Sequence, residues 1–113
     1  MRIIAGSCKG RPILAPKGMD TRPTLDRVKE SLFGIIQFQI YGKTVLDLFA
    51  GSGNLGLEAL SRGASFAAFN DMSRDAVKVI RANIEKLGFE QKSVVMNVDF
   101  AQAIRSLSAR RFD

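Results

Sequence analysis

The sequence predicts an α/β protein built on a parallel sheet, with a basic β-hairpin added at its N-terminus. Three observations carry this reading. From Lys43 onward, short apolar runs of strand type alternate with segments of helical period. A glycine-rich turn, Gly51-Ser52-Gly53-Asn54-Leu55-Gly56, joins the first of those runs to the first of those helical segments. Ahead of both lies a basic stretch rich in turn residues. An order of β-α-β-α-β-α needs parallel neighbours joined by right-handed crossovers, because a hairpin turn cannot return a strand parallel to its predecessor.

The elements follow in chain order. Arg2 to Ala5 and Pro12 to Ala15 are β-prone and flank Gly6-Ser7-Cys8-Lys9-Gly10, where glycines fall as a hairpin needs them. Pro16 to Asp20 reads as loop. A helix opens at Pro23-Thr24, with Val28, Leu32, Ile35 and Ile36 on one face and Gly34 weakening its end. Thr44 to Phe49 is a strand of buried type, and Leu55 to Arg62 is a helix closed by Gly63. Phe66 to Phe69 is the second strand. Ser73 caps a helix that carries Val77, Ile80, Ile84 and Leu87 on one face and stops at Gly88. Ser93 to Val98 is the third strand, and Asp99 caps a helix with Ala103, Ile104 and Leu107. The organisation expected is a basic hairpin and loop over residues 1–20, a helical segment over 21–42, and the first half of a nucleotide-binding domain over 43–113. Arg110-Arg111-Phe112-Asp113 reads as the approach to a fourth strand, and three parallel strands are few for a doubly wound sheet, so a fragment of a larger domain is expected.

Composition narrows the chemistry. With 113 residues, 46% hydrophobic and 25% charged, the chain suits one globular domain, and no apolar run approaches the ~18 residues of a membrane span. The N-terminus lacks the apolar core of a secretory signal, which leads to a cytoplasmic expectation. One cysteine, Cys8, and no histidine leave neither a zinc ligand set nor an imidazole to activate a nucleophile; no metal is expected, and Cys8 reads as core filler. Of the net charge of +6, residues 1–43 hold +5, so a polyanion is the first partner to consider there, against a merely solvated basic face.

The glycine turn lies in the strand-turn-helix context that a nucleotide site requires: Gly51 for a tight turn, Gly53 for close backbone approach to a ligand, and Gly56 for helix-to-strand packing. A dinucleotide would put its pyrophosphate against this turn, where the Asp47 carboxylate would repel it; an amine-bearing cation such as S-adenosylmethionine suits Asp47 better. Asp71 stands 20 residues beyond Gly51, at a strand end, placed to accept the hydroxyls of an adenosine ribose in either ligand. Asp99 ends the third strand and could accept from an adenine amino group, cap the next helix, or do both. Asp47 could likewise serve only to cap backbone N–H groups.

These residues resemble a known family. Arg2-Ile3-Ile4-Ala5-Gly6 with Lys9-Gly10-Arg11, Thr21-Arg22-Pro23-Thr24, Asp26-Arg27-Val28-Lys29-Glu30, Val45 to Gly53, and Leu57-Glu58-Ala59-Leu60-Ser61-Arg62-Gly63-Ala64 are similar to the bacterial methyltransferases that modify the N2 amino group of one guanine in 16S ribosomal RNA. The resemblance covers essentially the whole chain. It implies an incomplete Rossmann-like sheet of the class I methyltransferase type with a β-hairpin extension. It also implies a cofactor set of Asp47, Phe49, Gly51, Gly53, Asp71, Met72, Asp99 and Phe100 around S-adenosylmethionine, with Asp71 a shorter acid where the family has glutamate. Lys9, Arg11, Arg22 and Arg27 would meet RNA, either 16S ribosomal RNA itself or a small-subunit assembly particle, with Arg22 and Arg27 at the mouth of the site, where they would contact RNA phosphate or the cofactor carboxylate, and no membrane is implied.

The family's Asp/Asn-Pro-Pro-aromatic motif, which holds the exocyclic amine and stacks on the base, has no counterpart among Pro12, Pro16 and Pro23. In the family it would begin a few residues beyond Asp113, so no catalytic residue is assigned and residues 1–113 alone are expected not to transfer a methyl group. If the glycine-turn strand is central in the family's sheet, it has an unpaired apolar edge here, and association of the isolated chain is expected. Two other readings stand beside this one: a nicotinamide-dinucleotide oxidoreductase domain, disfavoured by Asp47, and a non-catalytic RNA-binding module.

Overall fold

The computed structural model describes residues 2–15, 23–48 and 50–107. The loop at residues 16–20, Arg22, Phe49 and the stretch at 110–113 lie outside the described residues. The element order is α1 (Pro23–Ile36), β1 (Thr44–Asp47), α2 (Asn54–Ser61), β2 (Phe66–Asn70), α3 (Arg74–Leu87), a 3₁₀ turn (Glu90–Lys92), β3 (Ser93–Met96) and α4 (Phe100–Ser106). Both strand pairs are parallel, in the order β1-β2-β3, with Leu46 opposite Ala68 and Ala68 opposite Val94. This is the α/β parallel sheet expected from the alternation of strand and helix periods, and the Rossmann-like arrangement that the resemblance implies. The first and third strands are shorter than expected, because beyond Asp47 and Met96 the chain leaves the sheet to form the loops of the site.

β2 lies between its two neighbours, and Ala67, Ala68 and Phe69 are fully buried. Ala67 and Phe69 share a core with Leu57 and Leu60 of α2 and with Ile80, Ile84 and Leu87 of α3. The face expected for α3 is the one buried, and its caps match as well: Ser73 accepts from the Ala76 N–H, while Gly88 closes the helix at φ 78°. β1 forms one edge of the three-stranded sheet.

The N-terminal hairpin exists in its shortest form, a single antiparallel bridge between Arg2 and Pro12. It does not extend into a ladder because its polar backbone is pledged elsewhere. The Ser7 N–H donates to the Ser61 carbonyl, the Cys8 N–H to Ser61 Oγ (3.0 Å), and Ser61 Oγ to the Ala5 carbonyl (2.6 Å). Gly6, at φ 89°, makes this docking possible: a Cβ there would stand 1.9 Å from the Ser61 carbonyl oxygen. Cys8 is buried beside Leu87, which agrees with its reading as core filler.

The face expected for α1 needs correction in part: Ile36 packs, partly buried, against the core, but the rest of the stripe does not. Val28, Leu32 and Ile35 are exposed (60%, 42% and 78%), whereas Phe33 and, unexpectedly, Lys29 are buried. The helix is turned by an ion pair: Lys29 Nζ lies 2.9 Å from Glu58 Oε1 of α2, and Phe33 packs beneath the Arg62 guanidinium, 4.8 Å from its ring centre. In α4, similarly, Ala103 is the buried residue and Ile104 is half exposed.

Candidate functional site

The carboxyl ends of β1 and β2 bring Asp47, the glycine turn and Asp71 together. Asp47 is the last residue of β1 and accepts from the Gly56 N–H (3.3 Å) in the first turn of α2. Asp71 follows β2; one of its oxygens accepts from the Gly51 N–H (3.0 Å) and the other from the Ser73 N–H (2.9 Å). The Gly53 N–H donates to the Ala50 carbonyl (2.8 Å). Gly53 is buried in the left-handed region at φ 82°, and its N–H closes the turn inward. Gly56 plays the part expected of it, since a Cβ there would lie 2.3 Å from the Phe69 ring.

Burial pushes the Asp47 carboxyl up to about 6, against the opposing Gly56 hydrogen bond, and the nearby charge of Asp71 adds to the rise. The site therefore presents two carboxylates close enough to repel, held on a turn whose glycine N–H groups are already engaged. That is an environment short of positive charge.

The rim is fixed by a residue that sequence reasoning left unassigned. Asn70, fully buried at the end of β2, donates to the carbonyls of Leu48 (3.2 Å) and Val98 (2.9 Å) and accepts from the Val98 N–H (3.2 Å). One amide thus joins the exits of all three strands, which holds Asp47, Asp71 and Asp99 in a common frame. Asn97 adds a second tie, donating to the carbonyls of Asp71 and Met72. Asp99 is exposed and accepts from the Gln102 N–H (2.9 Å), so it is the N-cap of α4, and Met72 and Phe100 are exposed on the same rim side of the sheet.

The basic residues divide into two groups. Lys9, Arg11 and Arg27 are exposed. Arg11 reaches across to the Lys86 carbonyl (2.6 Å) at the end of α3. Lys29, counted with the basic surface on sequence grounds, is instead inside, bonded to Glu58, to the Arg2 carbonyl (2.9 Å) and to the Asn54 side chain. Glu58 is the hub that sequence reasoning missed: it also accepts from the N–H groups of Ile4 (2.8 Å) and Ala5 (3.1 Å) and from Arg62 Nε (2.8 Å). Burial opposes the charge of Glu58, but the Ile4 N–H, Arg62 and Lys29 together hold its carboxyl below the ordinary range. The available signal was the i, i+4 spacing of Glu58 and Arg62.

Two surface clefts lie elsewhere, one lined by residues such as Arg81, Glu85 and Val95, the other by Ile36, Tyr41 and Val45; neither includes the acids of the site. Among the described residues there is no cluster of three or more potential metal ligands, and no helix is long and apolar enough to cross a membrane.

Comparison with known proteins agrees with this architecture. The chain is 43% identical over 110 residues to YlbH of Bacillus subtilis, covering 97% of this chain and 60% of the relative. It is 42% identical over 99 residues to ribosomal RNA small subunit methyltransferase D of Haemophilus influenzae, covering 84% of this chain and 50% of that protein. The solved structure of yhhF from Escherichia coli superposes with a TM-score of 0.81 at 36% identity, covering 92% of this chain and 55% of that one. The chain thus spans between half and three fifths of the length of these relatives. A family model described as conserved hypothetical protein 95 matches residues 1–113. With a match that runs from its first residue to its last, the chain belongs to the conserved hypothetical protein 95 family.

Proposed function

We propose that this chain carries the S-adenosylmethionine cradle and part of the RNA-facing surface of a methyltransferase acting on the N2 amino group of a guanine in 16S ribosomal RNA. One observation carries the cofactor reading: the N–H groups of Gly51, Gly53 and Gly56 all have acceptors within the chain, and two of those acceptors are the carboxylates of Asp71 and Asp47. A pyrophosphate needs free N–H groups and meets negative charge here instead. A ligand with an ammonium group meets what it needs, and the residues present fit S-adenosylmethionine.

When bound, S-adenosylmethionine supplies a methyl group on a sulfonium, which passes to the guanine amine with S-adenosylhomocysteine and a proton as the other products. Asp47 would hold the α-ammonium, and Asp71 would accept the ribose hydroxyls on the lone pairs left by the Gly51 and Ser73 N–H groups. Asp99, Met72 and Phe100 would border the adenine, and Phe49 would lie beside the turn. Asn70 keeps these groups at fixed separations, and alignment of this kind supplies much of the rate for an intrinsically reactive methyl donor. Lys9, Arg11, Arg22 and Arg27 would meet RNA phosphates; support comes from the charge of the N-terminal third and from the Haemophilus relative, which is named for ribosomal RNA. A base must leave its stack to reach a pocket at strand ends, and a guiding basic surface serves that need.

Calorimetric titration with S-adenosylhomocysteine tests this reading, with NAD and NADP as controls. Saturable binding of the nucleoside alone, lost in Asp71→Ala, is expected. Dinucleotide binding in its place would sink the cofactor reading, and salt-sensitive RNA binding with no nucleoside affinity would favour a non-catalytic RNA-binding module.

A further inference from the structure

The basic arm and the glycine turn are far apart in sequence and share one buried side chain. Asn83 of α3 is fully buried. Its Oδ1 accepts from the Leu14 N–H (2.8 Å), and its Nδ2 donates to the Leu14 carbonyl (2.9 Å) and to the carbonyl of Ser52 (3.0 Å), in the middle of the glycine turn. Both donors and the acceptor of the amide are thereby used. A primary amide suits this place because it can pair with the N–H and the carbonyl of one residue, as a neighbouring strand would, and still donate to a third group.

We propose that Asn83 is a positioning residue through which occupancy of the glycine turn and placement of the N-terminal arm are coupled. The proposal rests on the cofactor reading above and extends it to regulation of the same site. The turn is held on one side by Asp71, through the Gly51 N–H, and on the other by Asn83, through the Ser52 carbonyl. A ligand that engages Asp71 therefore bears on Ser52, hence on Asn83, hence on Leu14, three residues beyond Arg11. Arg11 is anchored on the same helix, at the Lys86 carbonyl, so α3 carries the arm at two points. Coupling of this kind is reciprocal: a filled turn steadies the arm for RNA, and RNA on the arm tightens the hold on cofactor.

Amide hydrogen exchange in the full chain tests it. S-adenosylhomocysteine is expected to slow exchange of the Ile13, Leu14 and Ala15 amides of the wild type; in Asn83→Ala that slowing disappears and the Kd for the nucleoside rises about ten-fold. Leu14→Pro removes one N–H of the arm and no atom of the turn, and it is expected to raise ligand-free exchange at residues 50–54. The inference is overturned if both variants speed exchange of the Ile13 and Ala15 amides while exchange at 50–54 and the Kd stay at wild-type values. Should Asn83→Ala fail to fold, Leu14→Pro decides alone. Should the wild type bind no nucleoside, the cofactor reading fails, and the ligand-free exchange at 50–54 still decides whether arm and turn are coupled.

Discussion

Glu58 and Asp47 are carboxylates served by the same short helix, and they are treated in opposite ways. Glu58 is enclosed with Lys29, Arg62 and two backbone N–H groups, and its carboxyl is held below the ordinary range. Asp47 has the Gly56 N–H and, nearby, a second acid, and its carboxyl is pushed up to about 6. A buried charge with matched partners is stabilised, whereas one left short of positive charge is disfavoured by its burial. One helix thus serves an acid held in its charged form and an acid whose charge is disfavoured.

Breaking the hub should have the largest effect. Glu58→Gln leaves Lys29 buried without a counter-charge, and a loss of about 3–5 kcal/mol is expected from denaturant unfolding, with the N-terminal segment released first. Asp47→Asn should do the reverse. The amide can still accept from Gly56 without charge, so the ligand-free chain gains about 2 kcal/mol, while the Kd for S-adenosylhomocysteine rises by about ten-fold or more. Equal destabilisation by the two substitutions would erase the contrast between the acids.

The two carboxylates also predict opposite slopes against pH. The folded-state value of Asp47 is raised, so its ionisation disfavours the fold above about 6 and that penalty is relieved as the pH falls from about 6 towards 3.8. The folded-state value of Glu58 is lowered, so its contribution is complete above 4.5 and is lost as the pH falls through the folded value. Stability of the ligand-free chain should therefore rise on mild acidification and fall on further acidification, and Asp47→Asn should remove the first limb alone. Nucleoside affinity should weaken below about 6, as Asp47 takes up a proton. Asp99→Ala should give the smallest change, about 1 kcal/mol for a lost N-cap, measured by thermal melting.

The sheet was legible because apolar runs, glycine positions and helical period are local signals, and the strand-end acids were legible because they stand at fixed offsets from the glycine turn. Asn70 and Asn83 carried no such signal, each being buried by partners distant in sequence, up to 69 residues away for Asn83 and Leu14, and for Glu58 only the spacing to Arg62 was local. Lys29 looked like surface charge because composition cannot tell a solvated lysine from one facing an acid on another helix. The apolar stripe at Val28, Leu32 and Ile35 had the correct period and the wrong side, since the buried ion pair sets the rotation of α1.

The ties of the arm also order events in time. Neighbouring strands pair at separations of 22 and 26 residues, whereas the arm closes on Glu58 and Asn83 across 54 and 69 residues. Longer closures carry more entropy to overcome and are rewarded only when their docking surface exists. During refolding, α2 and α3 must already lie against β2 before residues 2–15 have anything to grip, so that segment settles last. Pulse-labelled exchange should accordingly show the amides of Ile4, Ala5 and Leu14 gaining protection after those of β1 and β2. On unfolding, the same segment would be the first to leave.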